Sequence, residues 1–288
     1  MFVIRIWALI CLITFSATIF GGEVINREIV VPVGIFEERL DSALDVISSG
    51  HCRDIKQFSS SWNQVVVEFI LLCQALDLGG VHAKFKFVPY PLYIRAVSEV
   101  REGNIMMGAF PMWLHDAGGD VIASDVMVAN QSFEKGVYTR KNHKALLGAT
   151  SLEDLRQFKA ITSEKWVVDW ATLECLNLPK YGVINYLQMF KMVNAGRGDY
   201  VLSTFSASED MSQKEQGITL VPVPGLKVGL EGSTHFLINQ YYPDAMIVYQ
   251  ALQKGLKKLR QQGTIERAYR ESGFYLEQTQ SWELLSCE

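Results

Sequence analysis

The chain has 288 residues, 49% of them hydrophobic and 20% charged, with 27 lysines and arginines against 31 aspartates and glutamates for a formal net charge of −4. Such a length holds one large domain or two moderate ones around a substantial core, and the composition excludes a disordered chain. The acidic balance, with no basic stripe, argues against a nucleic-acid binder.

The first residues, MFVIRIWALICLITFSATIFGGE, carry one Arg, an apolar run from Ile6 to Ile13 that continues to Phe20, and then Gly21-Gly22. This is the pattern of a secretory signal, so residues 1–22 are read as a signal peptide cleaved near Gly21 or Gly22. A retained anchor is the competing reading, but the run falls short of the ~20 apolar residues that a spanning helix needs. Cys11 follows the bulky Ile10 and does not make a lipoprotein site.

A periplasmic location is therefore expected, and an oxidising one for Cys52, Cys73, Cys175 and Cys287. Three connectivities are open to four cysteines. Cys73 and Cys175 fall in helical patterns, where burial as small hydrophobes competes with bridging. Cys52 and Cys287 flank irregular segments and are the freer candidates for a bridge.

The mature chain opens with a β-rich run, Ile29 to Val33, closed by Gly34. In SSSWNQVVVEFILLCQALDLGG, Ser61 with Gln64 makes a capping box, and Val65, Val66, Phe69, Ile70, Leu72, Cys73 and Leu76 recur at helical spacing up to Gly79-Gly80. AKFKFVPY alternates as a strand, PLYIRAVSEVREGN reads as a helix stopped at Gly103, and IMMGAF as a short buried strand. The order β-α-β-α-β favours parallel strands with helical crossovers.

In the middle, Thr150 with Glu153 caps SLEDLRQF, KAIT is a short strand and EKWVVDWATLECLNL a helix. YGVI, NYLQMFKMVNAG and DYVLSTF follow as strand, helix and strand. Near the end, Ala245, Val248, Leu252, Leu256 and Leu259 form one apolar stripe, too short for a zipper. Gly263-Thr264 then starts a second short helix. The segments YIRAVSEVREGNIMMGAF and YLQMFKMVNAGRGDYVLS share a layout, which points to two similar α/β halves. The second contains Arg197-Gly198-Asp199, which reads as the tight joint between a helix and a strand rather than as an exposed adhesion tag.

With IVVPVG, VREGNIMMGAF, VNAGRGDYVLS, SLEDLRQFKAIT and ALQKGLKKLRQQGTIERAYRESG in this order, the mature chain resembles the extracytoplasmic solute-binding proteins of the polar amino-acid type (family 3). The resemblance implies a two-lobed α/β fold of type II, with mixed sheets flanked by helices and a ligand cleft between lobes. By that analogy residues 23–129 and 233–288 form lobe one, and residues 130–232 form lobe two.

Where that family has an aromatic residue after the first strand, Phe36 stands here. Where it has small polar residues after the next strand, this chain has the bulky GAFPMW. The place of its carboxylate-binding Arg falls in LHDAGGD, which has none, and its ammonium-binding acid falls on Thr204. A hydrogen bond to a charged group contributes roughly 1.5–3 kcal/mol, against about 8 kcal/mol for micromolar affinity. A standard free amino acid held in the usual mode is therefore not the expected ligand, unless Arg95 or Arg140 takes over the carboxylate.

Phe36, Tyr90, Phe110, Trp113 and Trp166 lie at strand ends or first turns and are the candidates for an aromatic box suited to a ring, a sugar face or a cation. Arg140 is a candidate for an anionic group, and Ser163, with Thr162, for one held at a helix start. For each the competing reading is core packing or a solvated surface. The five histidines are isolated and show no metal-ligand spacing. No cofactor is expected.

The expected function is a non-enzymatic, monomeric binding protein that takes a small molecule and presents the closed form to an inner-membrane permease or a sensor receptor. One alternative is a dehydratase-like enzyme on the same fold, for which Glu37, Glu164 or His115 would supply the acid and for which no well-placed Arg exists. The other is a binding fold that has lost its ligand and acts through protein contacts.

Overall fold

The computed structural model describes residues 28–48, 50, 52–59 and 63–287. The expected signal peptide, Ser61 and His51 lie outside the described residues.

The chain starts with β1 (Glu28–Phe36), α1 (Leu40–Ser48), α2 (Gln64–Gly79), β2 (His82–Tyr90) and α3 (Tyr93–Arg101). Three short strands follow: β3 (Met107–Gly108), β4 (Met112–Trp113) and β5 (Val121–Ala123). β1 runs parallel to β2 from Glu28↔His82 to Phe36↔Tyr90, and parallel to β3 at Val33↔Met107. The strand does not close at Gly34, because Gly34 is itself paired with Val88 and Gly108.

The expectation of an apolar stripe on α2 is too narrow. Residues from Val66 to Leu72 are buried on every side, since Phe69 packs on Phe85 and Phe87 of β2 while other faces meet return helices. Its N-cap is Asn63, whose Oδ1 accepts the Val65 N–H at 3.0 Å. Gly80, at φ 98°, ends it in the left-handed conformation.

The second lobe contains β6 (Glu134–Arg140), α4 (Lys144–Leu147), α5 (Leu152–Leu155), β7 (Ala160–Thr162), α6 (Val167–Cys175) and β8 (Lys180–Gly182). It continues through α7 (Tyr186–Asn194), β9 (Val201–Ser203), β10 (Gln213–Glu215) and β11 (Ile218–Gly229). The capping box before α5 is Ser151 with Asp154, one residue on from Thr150 and Glu153.

The return segment forms β12 (Thr234–His235), β13 (Leu237–Asn239), α8 (Ala245–Gln261), α9 (Thr264–Glu271) and β14 (Glu283–Leu285).

Two main sheets result, in the orders β2-β1-β3-β13-β5 and β10-β11-β6-β9. The first is mixed: the opening units are parallel, and the returning β13 enters antiparallel to β3 and β5. The chain passes twice between lobes, and the two passages lie side by side. Val128 and Thr234 form an antiparallel bridge, and Leu230 N–H donates to Phe133 O at 2.9 Å. The return segment ends on lobe two rather than in lobe one, with β14 parallel to β11.

Lobe one is centred on α2 and α8, which cross at two small-residue pairs. A Cβ on Gly255 would lie 1.8 Å from the Ala75 carbonyl oxygen, and one on Gly79 would lie 2.1 Å from that of Ala251. The helices therefore touch backbone to backbone. Cysteine pairing departs from expectation: Cys73 is bridged to Cys52 and Cys175 to Cys287. The two helical cysteines, Cys73 half-buried and Cys175 exposed, are thus the partners of the loop cysteines, which pins Cys287 to α6.

The Arg-Gly-Asp tripeptide is a locked joint. Gly196 has φ 70°, Arg197 N–H donates to Met192 O at 2.9 Å, and a Cβ on Gly198 would meet Ile161 at 2.3 Å. The Asp199 carboxylate accepts the Lys159 N–H at 2.7 Å and lies 2.8 Å from His143 Nε2.

Candidate functional site

A cleft of about 290 Å³ opens where β1, β3 and α3 of one lobe face β6 and α6 of the other. Six aromatic side chains line it: Phe36, Tyr93, Phe110, Trp113, Phe133 and Trp166. Phe36 ends β1 and Phe110 follows β3, and because those strands are neighbours their rings stack, with centroids 4.7 Å apart and planes 13° apart. Trp113 leans on Phe133 at 5.1 Å, joining the lobe-one wall to the first passage between lobes. Trp166 stands before α6 and stacks on Tyr186 at 5.9 Å.

The polar groups in these walls are mostly engaged by the protein itself. Tyr93 donates its hydroxyl to Asp116 Oδ2 at 2.5 Å and accepts the Trp113 N–H at 3.0 Å. Burial, together with the neighbouring Asp116 charge, holds that phenol far above its ordinary range. Lys135 Nζ lies 2.5 Å from Asp169 Oδ1 and 5.0 Å over the Trp166 ring. Lys165, at the mouth, is exposed and has no ion-pair partner among the described residues.

One carboxyl in the lining stands apart. Glu68 projects from the apolar α2 with only 3% of its surface exposed. Gln64 Nε2 donates to its Oε1 at 2.8 Å and the Tyr269 hydroxyl does so at 3.0 Å. Burial dominates these bonds and pushes the carboxyl up to about 8.

A second cavity, of about 480 Å³, lies between the return helices and β6 and β11. Four of its five charges pair among themselves, Lys227 with Glu134 at 2.9 Å and Arg270 with Glu266 at 2.8 Å, and Arg260 pairs with Asp125. The interlobe cleft, with its open aromatic faces, is the better candidate.

No family model matches the sequence, and no curated protein does. Among solved structures, the periplasmic VFT2 domain of BvgS from Bordetella pertussis superposes with a TM-score of 0.55 at 14% identity, over 84% of this chain and 92% of that one. The probable amino-acid ABC transporter extracellular-binding protein YtmK of Bacillus subtilis gives 0.51 at 15% identity, over 84% and 96%. The chain has the two-lobed binding-protein fold. At such identities the likeness is one of fold, and the chemistry of the cleft rests on this chain's own residues.

Of the residues expected from sequence, the two-lobed fold brings Phe36, Phe110, Trp113 and Trp166 together in the cleft. The other four lie elsewhere. Tyr90 turns its hydroxyl to Glu99 Oε2 at 3.4 Å, and Tyr93, at the start of the next helix, lines the cleft instead. Arg140 donates to the Val193 and Gly198 carbonyls, each at 3.4 Å, and so braces the Arg-Gly-Asp joint. Ser163 is buried, its hydroxyl oxygen accepting the Lys165 N–H at 3.3 Å. The Thr204 carbonyl accepts from Gln213 Nε2 at 2.6 Å, outside the cleft lining.

His115 reaches the cleft, with Nε2 3.4 Å from Asp116 Oδ1. Sequence reasoning missed Glu68, Lys135, Asp169 and Phe133. A readable signal existed for Glu68, a single charge inside VVVEFILLC. The Lys135–Asp169 pairing spans 34 residues and leaves no local trace.

Proposed function

We propose that this chain is an extracytoplasmic binding protein that closes its lobes on a small molecule with an apolar, ring-bearing body. It delivers that molecule to a membrane transporter or reports it to a sensor, and performs no chemistry on it. The observation that carries this reading is the aromatic lining contributed by both lobes, with Phe36, Phe110 and Trp113 facing Trp166. Rings supply large stacking area with few rotatable bonds, which suits a hinged clamp.

A standard amino acid fits this cleft poorly. The lining contains no Arg, Lys135 is neutralised by Asp169, and Thr204 lies outside it. Location outside the cytoplasm is supported by the signal pattern of residues 1–22. Among the described residues no helix is long and apolar enough to cross a membrane.

A thermal-shift screen of metabolite pools tests the reading. Ring-bearing compounds should raise the melting temperature, because a ligand at a hundred times its Kd adds about 2.7 kcal/mol of stability. If no pool does so, a second reading takes over: a binding fold that works through protein contacts. The observation favouring it is that Phe36 and Phe110 stack on each other and Lys135 on Asp169, so the cleft satisfies much of its own surface.

A further inference from the structure

Glu68 is half satisfied. Both of its protein hydrogen bonds fall on Oε1. Oε2 takes none among the described residues, yet Glu68 lines the cleft and Oε2 is not sealed away as a buried orphan.

The charge of the lining gives the missing partner its sign. Asp169 is paired with Lys135, and Asp116 has Tyr93 at 2.5 Å and His115 at 3.4 Å. Glu68 has no cation beside it among the described residues. The ionisable groups facing it are Tyr269 of α9 and Tyr275 beyond that helix, and its own-helix neighbour Gln64 is neutral. Burial keeps this carboxyl neutral while the cleft is empty, and it ionises only beside a counter-charge, while the aromatic faces around it attract cations.

We infer that the ligand is a ring-bearing organic amine without a carboxylate, whose ammonium group is held at Glu68 Oε2. This rests on the cleft being a ligand site and names the class of compound it takes. The raised proton affinity of the Glu68 carboxyl adds a consequence. At neutral pH the acid carries its proton until the ammonium arrives. The carboxyl O–H bond then breaks, the proton leaves to solvent, and the ammonium N–H donates to the carboxylate formed.

The test is calorimetric titration of the full mature chain with 2-phenylethylamine, its neutral isostere 2-phenylethanol, and phenylacetate, at pH 7 in buffers of different ionisation enthalpy. The amine should bind at least tenfold more tightly than either isostere and release close to one proton. Glu68→Gln should remove that release and weaken the amine at least tenfold, leaving 2-phenylethanol unchanged. Proton release is read on the unmodified chain, so the test survives a variant that folds badly. Equal binding of the three compounds, or amine binding with no proton release, overturns the amine assignment and leaves the cleft-binding reading standing. If none of the three binds, the amine assignment falls, and the cleft reading stands or falls by the thermal-shift screen of metabolite pools.

Discussion

Lys135 Nζ and Asp169 Oδ1 stand 2.5 Å apart, with the two side chains only 11% and 8% exposed. The pair joins β6 to α6 at the edge of the cleft, and it keeps Lys135 from meeting an anionic ligand. Asp169→Asn should leave a buried lysine without its counter-charge, at a cost of about 3–5 kcal/mol in urea unfolding. The double change Lys135→Met with Asp169→Leu should cost much less, because it removes the charge together with its partner. Equal losses for the two variants would mean that the pair is not held as described.

Glu68 makes stability depend on pH. Its folded-state carboxyl is raised from 4.5 to about 8, so between those values the folded chain holds a proton that the unfolded chain has released. Stability should therefore fall as pH rises from 4.5 to about 8 and level off above that. Glu68→Gln removes this contribution. In urea unfolding at pH 5, 7 and 9, the variant should gain on the parent chain at each step, and an unchanged difference would contradict the buried acid.

Where α2 crosses α8, Gly255→Ala should destabilise although alanine is the better helix former by about 1 kcal/mol. The added Cβ would stand 1.8 Å from the Ala75 carbonyl oxygen, and forcing the helices apart costs typically 1–3 kcal/mol or more. The exposed neighbour Lys254→Ala is the control and should change little. A lower melting temperature for Gly255→Ala alone checks the crossing.

The two disulfides should differ in weight. Cys52 and Cys73 are 21 residues apart in sequence, Cys175 and Cys287 112 apart. On the loop-entropy scale the first contributes roughly 3 kcal/mol and the second between 4 and 5. Paired Cys→Ala variants compared by denaturant unfolding should follow that order, and loss of the longer bridge should also expose the chain's end to protease.

The fold was legible where local pattern and tertiary demand agree. Alternation in AKFKFVPY gave β2, and the spacing of Ala245, Val248, Leu252, Leu256 and Leu259 gave the buried stripe of α8. Caps were harder, because neighbouring polar residues compete for the same helix-end N–H groups. Ser151 and Asp154 took a box that Thr150 and Glu153 could equally have made. The aromatic residues of the cleft were readable because strand ends fix their position, as Phe36 and Phe110 show.

The polar half of the cleft was not readable. Arg140 looks available in GVYTR, yet a joint some sixty residues later claims it. Lys135 and Asp169 meet only once β6 and α6 are packed together. Long-range pairing of charges depends on the assembled fold, and no spacing in the sequence encodes it.

Native mass spectrometry of the mature chain, purified without denaturation and then offered pools of ring-bearing compounds and of free amino acids, addresses the central claim most directly. The expected spectrum has one small molecule per chain, ring-bearing and without a carboxylate, and that adduct should vanish in Trp113→Ala. A free amino acid as the retained adduct, or a bare chain with every pool, would contradict a cleft built to hold such a ligand.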